Sequence, residues 1–447
     1  LEAEGHEILK LNIGDPIAYP GLPTPPHMIQ AFQDSLSRGE TGYSPSYGLP
    51  VLRTAIAKDE QSKGWDCRDQ DVYVCHGVTE ALQIIFAAVL EAGTKVLAPG
   101  PHYPPYMAYP QMFGGETVEY RLKDDDGWKI DFEDIENKMD ETVRLLVLIN
   151  PNNPTGNVAG ADEIDKLISI AEKWPNCMIV ADEIYDGLDF TGNQVSVASR
   201  SQTVPVFTLN GVSKVYYAPG WRIGYMAIHD PQQRMGAVRD GIERLLRSRL
   251  CASTPAQMGY YSGLESSRDW MQEYSSKVIA QRDLCLRRIA EIDGLEVESP
   301  GGAFYMFVRL TDDHWAKNDK DFVLKLLHEE HVLLVHGSGF SPEFGKGHVR
   351  LVYLPNEEIL KFKKEISPDW SLTHDNTRLL RKIKFKDFKE ALDLAIKIGE
   401  MADEQWHHPE LAVGYGHLDI EVWTHKINGL VESDFIFAAK VDALYGD

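Results

Sequence analysis

Cysteine is scarce and unpatterned in this chain: five among 447 residues (Cys67, Cys75, Cys177, Cys251, Cys285), an odd number with no C-x-x-C pair. That speaks against a disulfide framework or a cysteine zinc site and fits a reducing compartment, here taken as the cytoplasm. Positive charge is short as well. Lys and Arg total 45 against 68 Asp and Glu, a net charge of −23, which argues against nucleic acid and anionic membrane as partners. Long apolar runs are missing. The most apolar stretch, residues 81–90, is too short to span a bilayer and is interrupted by Gln83. No stretch is compositionally disordered, and no internal repeat stands out. The chain opens on Leu1, so it is expected to start inside a longer protein, and no targeting segment is judged from it.

What is present is a folding chain with chemistry at two places. A hydrophobic content of 43% supports real cores, and the length suggests about three domains. Short apolar runs at 71–76, 95–98, 144–150, 178–181, 206–209 and 223–228 predict strands. Several are apolar throughout, as strands buried on both faces should be. Helical patterns at 79–91 and 161–173 imply crossovers and a mostly parallel sheet. Asn150, Asp182 and Lys214 fall just past the C-terminal ends of these strands, the edge where open α/β sheets bind ligands. After a helix over 231–249 come strands at 303–310 and 348–354 flanking a helix near 321–330, a smaller α+β domain. A polar joint at 365–369, with Pro368, precedes an independent unit: strand 381–385, helix 387–404, a histidine loop, strand 418–424 and helix 433–444.

The first site is carried by Asn150-Pro151-Asn152-Asn153-Pro154-Thr155-Gly156, Asp182-Glu183-Ile184-Tyr185 and Ser213-Lys214 with Gly220-Trp221-Arg222-Ile223-Gly224. A lysine framed by an acid, a tyrosine and an arginine reads as a pyridoxal phosphate site. Lys214 forms the Schiff base and shuttles protons; Asp182 faces the ring nitrogen; Asn153 and Tyr185 address the ring oxygen. Gly77-Val78-Thr79 opens a helix after a strand, so its free N–H groups suit the phosphate. Arg222 adds a clamp assisted by Ser213, and Tyr103 stacks on the ring. Any one of these alone is more often a cap, a turn or a solvated side chain; their order along one sheet edge is what carries the reading.

Residues 8–366 resemble fold-type I aminotransferases, especially the alanine aminotransferase group. The likeness adds Leu11-Asn12-Ile13-Gly14-Asp15-Pro16, Tyr43, Gly48 to Arg53, Val335 to Phe340 and His348-Val349-Arg350 to the motifs above. It implies that Arg350 binds the substrate α-carboxylate, that Gly14 lies over the substrate, and that Tyr43 reaches the phosphate of a neighbouring subunit's cofactor in a homodimer. The substrates implied are an amino acid and a 2-oxo acid such as 2-oxoglutarate.

The second site gathers His407-His408-Pro409-Glu410, Tyr415, Thr424-His425 and Gly429-Leu430. Adjacent histidines cannot both point at one ion without a bent loop, so no metal is expected. Groups titrating near neutrality serve proton transfer better. The stretch 370–446 resembles pterin-4a-carbinolamine dehydratases, with Phe385 to Phe388, Asp403 and Asp434 also matching and Val431 standing where a threonine or serine is usual. The likeness implies loss of water from 4a-hydroxytetrahydropterin, with acid–base work at His407 and His425 and pterin positioning by His408.

The expected architecture is therefore α/β: fold type I with a large, mostly parallel-sheet domain (about 40–250) and a small α+β domain (the N-terminal segment and about 251–366), then an α+β dehydratase-like domain over 367–447. The residues leave open a lyase or decarboxylase on the same cofactor, an aromatic amino-acid substrate, and a C-terminal domain serving only oligomerisation.

Overall fold

A computed structural model describes residues 1–2, 6, 8–19, 22–354, 366–374, 377–425 and 429–446. The chain divides into two compact units, Leu1–Asp15 with Thr24–Tyr353, and Pro16–Pro23 with Leu354–Asp447. The division thus falls ahead of the joint expected at 365–369; residue 365 of that joint lies outside the described residues. Among those residues, no helix is long and apolar enough to cross a membrane.

The first unit is built on an eight-stranded sheet in the order Val72–Cys75, Gly224–His229, Val206–Gly211, Met178–Asp182, Val143–Ile149, Lys95–Gly100, Glu116–Lys123, Lys129–Ile130. Strands Val206–Gly211 through Glu116–Lys123 pair in parallel. The central ones are largely apolar and buried on both faces, as in Met178–Asp182 and Val206–Gly211, whereas the outer strand Glu116–Lys123 is charged and partly exposed. The sheet is mostly parallel as expected; the short edge strand Lys129–Ile130 is antiparallel to its neighbour, and a second departure is more informative. Gly224–His229 runs antiparallel to both neighbours. A parallel return needs a long crossover, usually a helix, whereas the link from Gly211 holds only the short 3₁₀ turn Pro219–Trp221.

Register decides what reaches the sheet edge. Asp182 pairs with Ile149 on one side and Leu209 on the other, so it closes its strand level with the end of Val143–Ile149 and just short of the end of Val206–Gly211. Helix Gly77–Val89 follows Val72–Cys75 and packs Leu82, Ile85 and Phe86 into the core beside Val147 and Leu209.

A second, antiparallel sheet orders Leu295–Glu296, Tyr305–Leu310, His348–Val352 and Val335–His336. It brings Arg350 opposite Phe307 and Val335. Leu9–Lys10 pairs in parallel with Val332–Leu333, and the Val352 N–H donates to Leu11 O at 2.8 Å, which lashes the Asn12–Gly14 segment beside Arg350. Two predicted elements begin two or more residues later than their sequence patterns. The 231–249 helix starts at Gly236, because Gln233 is left-handed and the Asp230 carboxylate collects the Arg234 and Met235 N–H groups. The 303–310 strand starts at Tyr305 because Ala303 is left-handed.

The second unit is a four-stranded antiparallel sheet, Trp370–Thr373, Arg378–Lys384, His417–Val422, Glu410–Gly414, with helices Phe388–Gln405 and Glu432–Tyr445. Alternation along Arg378–Lys384 buries Leu379, Arg381 and Ile383 and exposes Lys382 and Lys384. The buried Arg381 cation is paired with Asp442, which also accepts from Trp370 Nε1 at 2.6 Å. Ile366 belongs to this unit's core, with Ile398, Ile420 and Phe437.

Candidate active sites

Asp182 is buried at its strand end, where Tyr106 Oη donates to Oδ2 at 2.8 Å. Burial pushes its carboxyl up to about 6, opposed by Tyr106, the Ile184 N–H and the charge of Lys214. Lys214 is half-buried in the turn after Val206–Gly211. Its Nζ donates to Gly14 O at 2.6 Å and lies 5.9 Å from the Phe304 ring centroid. Ser213 is buried beside it.

The N-terminus of helix Gly77–Val89 meets Arg222. Gly77 is left-handed (φ +75°), and a Cβ there would lie 2.6 Å from Arg222 Nη2. A Cβ on Gly224 would come within 2.9 Å of the Gly77 backbone and Val78 N. Free N–H groups of Gly77, Val78 and Thr79 and a guanidinium are thus assembled against one another by backbones that tolerate no side chain. Tyr103 is 37% exposed on the loop that leads into Tyr106. Burial, then Asp182 and Tyr305, raise its phenol.

Arg350 forms the other wall. It is buried, donates from Nη1 to Asn153 Oδ1 at 3.0 Å and from Nη2 to Asn12 O at 2.9 Å, and keeps Nε buried without a partner among the described residues. Phe340 and Tyr305 sandwich it, their ring centroids 4.7 and 4.5 Å from the guanidinium carbon. The Tyr185 hydroxyl lies 2.9 Å from that of Tyr305. Asn153 and Tyr185, expected at the ring oxygen, are therefore also tied to the Arg350 wall. Tyr43 is 84% exposed and turned away from this chain's own core. Tyr106 and Tyr305 escape a motif reading, while Asn12 and Phe340 lie in quoted motifs without an assigned role. The one available signal for Tyr106 is its spacing of one helical turn from Tyr103.

These groups fit pyridoxal phosphate: a buried acid beside a lysine, an anion cradle closed to any Cβ, and a buried guanidinium with a donor to spare.

In the second unit His407 Nε2 meets Asp434 Oδ1 at 2.7 Å, with side-chain exposures of 18% and 0%. Asp434 Oδ2 accepts from Thr424 Oγ1 at 3.0 Å and Val431 N at 2.7 Å. His408 is more exposed and pairs with Asp403 at 3.0 Å. His425 Nε2 donates to the His408 carbonyl at 3.3 Å. Its ring stacks on Trp423 at 4.1 Å, and the Arg378 guanidinium carbon lies 3.9 Å from the same indole's centroid. The three histidines are thus brought to one place, each with its own partner. Tyr415 is exposed nearby in sequence.

The fold and the lysine site define a pyridoxal phosphate-dependent transferase of fold type I. The chain belongs to the aminotransferase class I and II family, whose model matches residues 6–366, and carries a C-terminal pterin 4 alpha carbinolamine dehydratase domain, matched over 353–444. It is 36% identical over 362 residues to an alanine aminotransferase of Mycobacterium tuberculosis, covering 79% of this chain and 83% of the relative. It is 33% identical over 367 residues to the Escherichia coli glutamate-pyruvate aminotransferase AlaA, covering 81% and 89%. An alanine aminotransferase structure from Pyrococcus furiosus superposes with a TM-score of 0.78 at 43% identity, covering 80% of this chain and 91% of that one.

Proposed function

We propose that the first unit transfers an amino group between a small, alanine-like amino acid and a 2-oxo acid such as 2-oxoglutarate, and that the C-terminal unit dehydrates 4a-hydroxytetrahydropterin. The observation that carries the first half is the buried Arg350 guanidinium, with a free Nε donor, facing the site that holds Lys214 and Asp182. When bound, pyridoxal phosphate supplies an electron-withdrawing ring that delocalises the charge left at the substrate α-carbon. Asp182, as a carboxylate, pairs with the ring nitrogen. Gly77, Val78, Thr79, Ser213 and Arg222 hold the phosphate, Tyr103 packs on the ring, and Tyr185 and Asn153 hold its oxygen. Arg350 fixes the substrate carboxylate through a planar fork, the Gly14 backbone covers it, and Lys214 moves the α-proton. Tyr43, exposed on its own subunit, serves the partner subunit's phosphate in a homodimer.

In the C-terminal unit, His407 and His425 exchange protons with the departing hydroxyl and the ring N–H. Asp434 orients His407, and the His408 carbonyl fixes His425. The free state of all five cysteines supports a cytoplasmic protein.

The purified protein should absorb visible light through a cofactor linked to Lys214. An amino-donor panel with 2-oxoglutarate, together with borohydride reduction and peptide mapping, checks this. Label on another lysine, or turnover that needs no oxo acid, would overturn it.

A further inference from the structure

Tyr305 opens the Tyr305–Leu310 strand and is fully buried, yet three groups converge on it. Its hydroxyl lies 2.9 Å from that of Tyr185, the two rings meeting edge to face at 5.7 Å and 83°. Its ring lies against the Arg350 guanidinium, whose carbon is 4.5 Å from the centroid. A Cβ on Gly14 would sit 2.4 Å from Tyr305 Oη, so the backbone of Gly14 packs on the same oxygen.

Each phenol carries one hydrogen. At this separation only one hydrogen can lie between the two oxygens; the other must point elsewhere. Burial, followed by the neighbouring Tyr305, holds the Tyr185 phenol well above its ordinary range, so it stays protonated. If Tyr185 donates to Tyr305, its hydrogen is spent within the pair. If Tyr305 donates, the Tyr185 hydrogen is free to point into the cleft.

We propose that Tyr305 is a positioning residue for cofactor and substrate together: its hydroxyl donates to Tyr185 Oη, which turns the Tyr185 hydrogen toward the cofactor's ring oxygen, while its ring sets the plane of Arg350 for the substrate carboxylate. This rests on the assignment of Lys214 as the cofactor lysine. The two functions of Tyr305 belong to different parts of one side chain and are separable by substitution.

Tyr305→Phe keeps the ring and removes the donor. A hydrogen bond to the ring oxygen favours its ionised form, so weakening that bond raises the pH at which the cofactor's visible band changes form. The midpoint in Tyr305→Phe should rise by about 0.5–1 pH unit, the equivalent of one ordinary hydrogen bond, with KM for the amino acid little changed. Tyr185→Phe should shift it further in the same direction, and the double variant should match Tyr185→Phe alone, because the hydroxyl acts only through Tyr185. Tyr305→Leu should in addition raise KM for both amino acid and oxo acid. An unmoved midpoint in Tyr305→Phe, or a shift that adds in full to that of Tyr185→Phe, overturns the proposal. A parent protein with no visible band at all would instead overturn the assignment of Lys214.

Discussion

The carboxyl of Asp182 is pushed up from an ordinary 3.8 to about 6, chiefly by burial. Its folded value lies above its unfolded one. Its contribution to the stability of the cofactor-free protein is therefore fully present below pH 3.8 and lost as pH rises through about 6, a swing on the order of 3 kcal/mol. Cofactor binding has the opposite sign, since only the carboxylate pairs with a protonated ring nitrogen. Affinity for pyridoxal phosphate should fall as pH drops through about 6, measured by titrating cofactor-free protein over a pH series. Asp182→Asn should bind weakly and lose that step. Tyr106→Phe, which removes the donor on Oδ2, should move the step to higher pH; a step at the same pH in all three proteins would assign it to another group.

Arg350 invites a second test at this scale. A lysine cannot reproduce its fork, the cation–π sandwich, or the bonds to Asn153 and Asn12. Arg350→Lys should weaken donor and acceptor alike by about 2–5 kcal/mol, read as a rise in KM for both half-reactions. Unchanged kinetics would give the carboxylate to another residue.

At the scale of elements, the proposed phosphate cradle depends on how closely the strand Gly224–His229 approaches the first turn of helix Gly77–Val89. A methyl on Gly224 would meet backbone atoms at 2.9 Å, and backbone cannot swing aside. Gly224→Ala should cost about 1–3 kcal/mol and weaken cofactor binding, seen as a lower Tm with a smaller gain on adding pyridoxal phosphate. Helix Glu432–Tyr445 has a comparable double use. Asp434 caps its first turn through Val431 N and also holds His407. Asp434→Asn retains a cap acceptor but removes the charge facing His407. It should slow dehydration about 10–100-fold, the worth of one charged hydrogen bond, with little change in Tm. His407→Ala should slow it by roughly two to four orders of magnitude. Stopped-flow dehydration assays measure both, and transamination should stay at the parent rate.

For the whole molecule, the separate core of the C-terminal unit leads to a truncation test. A fragment from Leu354 to Asp447 should fold and dehydrate the pterin, and the intact protein should dehydrate it at the same rate with and without pyridoxal phosphate. A fragment starting at Ser367 would discard Ile366 from the core, at a cost of about 1.5–3 kcal/mol, and should melt lower. A folded longer fragment with no acceleration over buffer would favour an oligomerisation role for this domain.

The sequence by itself determined the central strands, the helix after the first of them, and the order of the site motifs. All-apolar runs, Gly77 after a strand, and Asp182 and Lys214 at strand ends are local signals, because burial on two faces and helix starts are settled within a few residues. The antiparallel entry of Gly224–His229 was not read from the sequence, because residues 212–223 are numerous enough for a short crossover. Tertiary structure alone decided who supports these residues. Tyr106 reaches Asp182 across 76 residues, Tyr305 reaches Tyr185 across 120, and Arg350 finds Asn12 across 338. Such pairs follow from sheet register and strand pairing, which are properties of the closed core, so no window of sequence holds both partners.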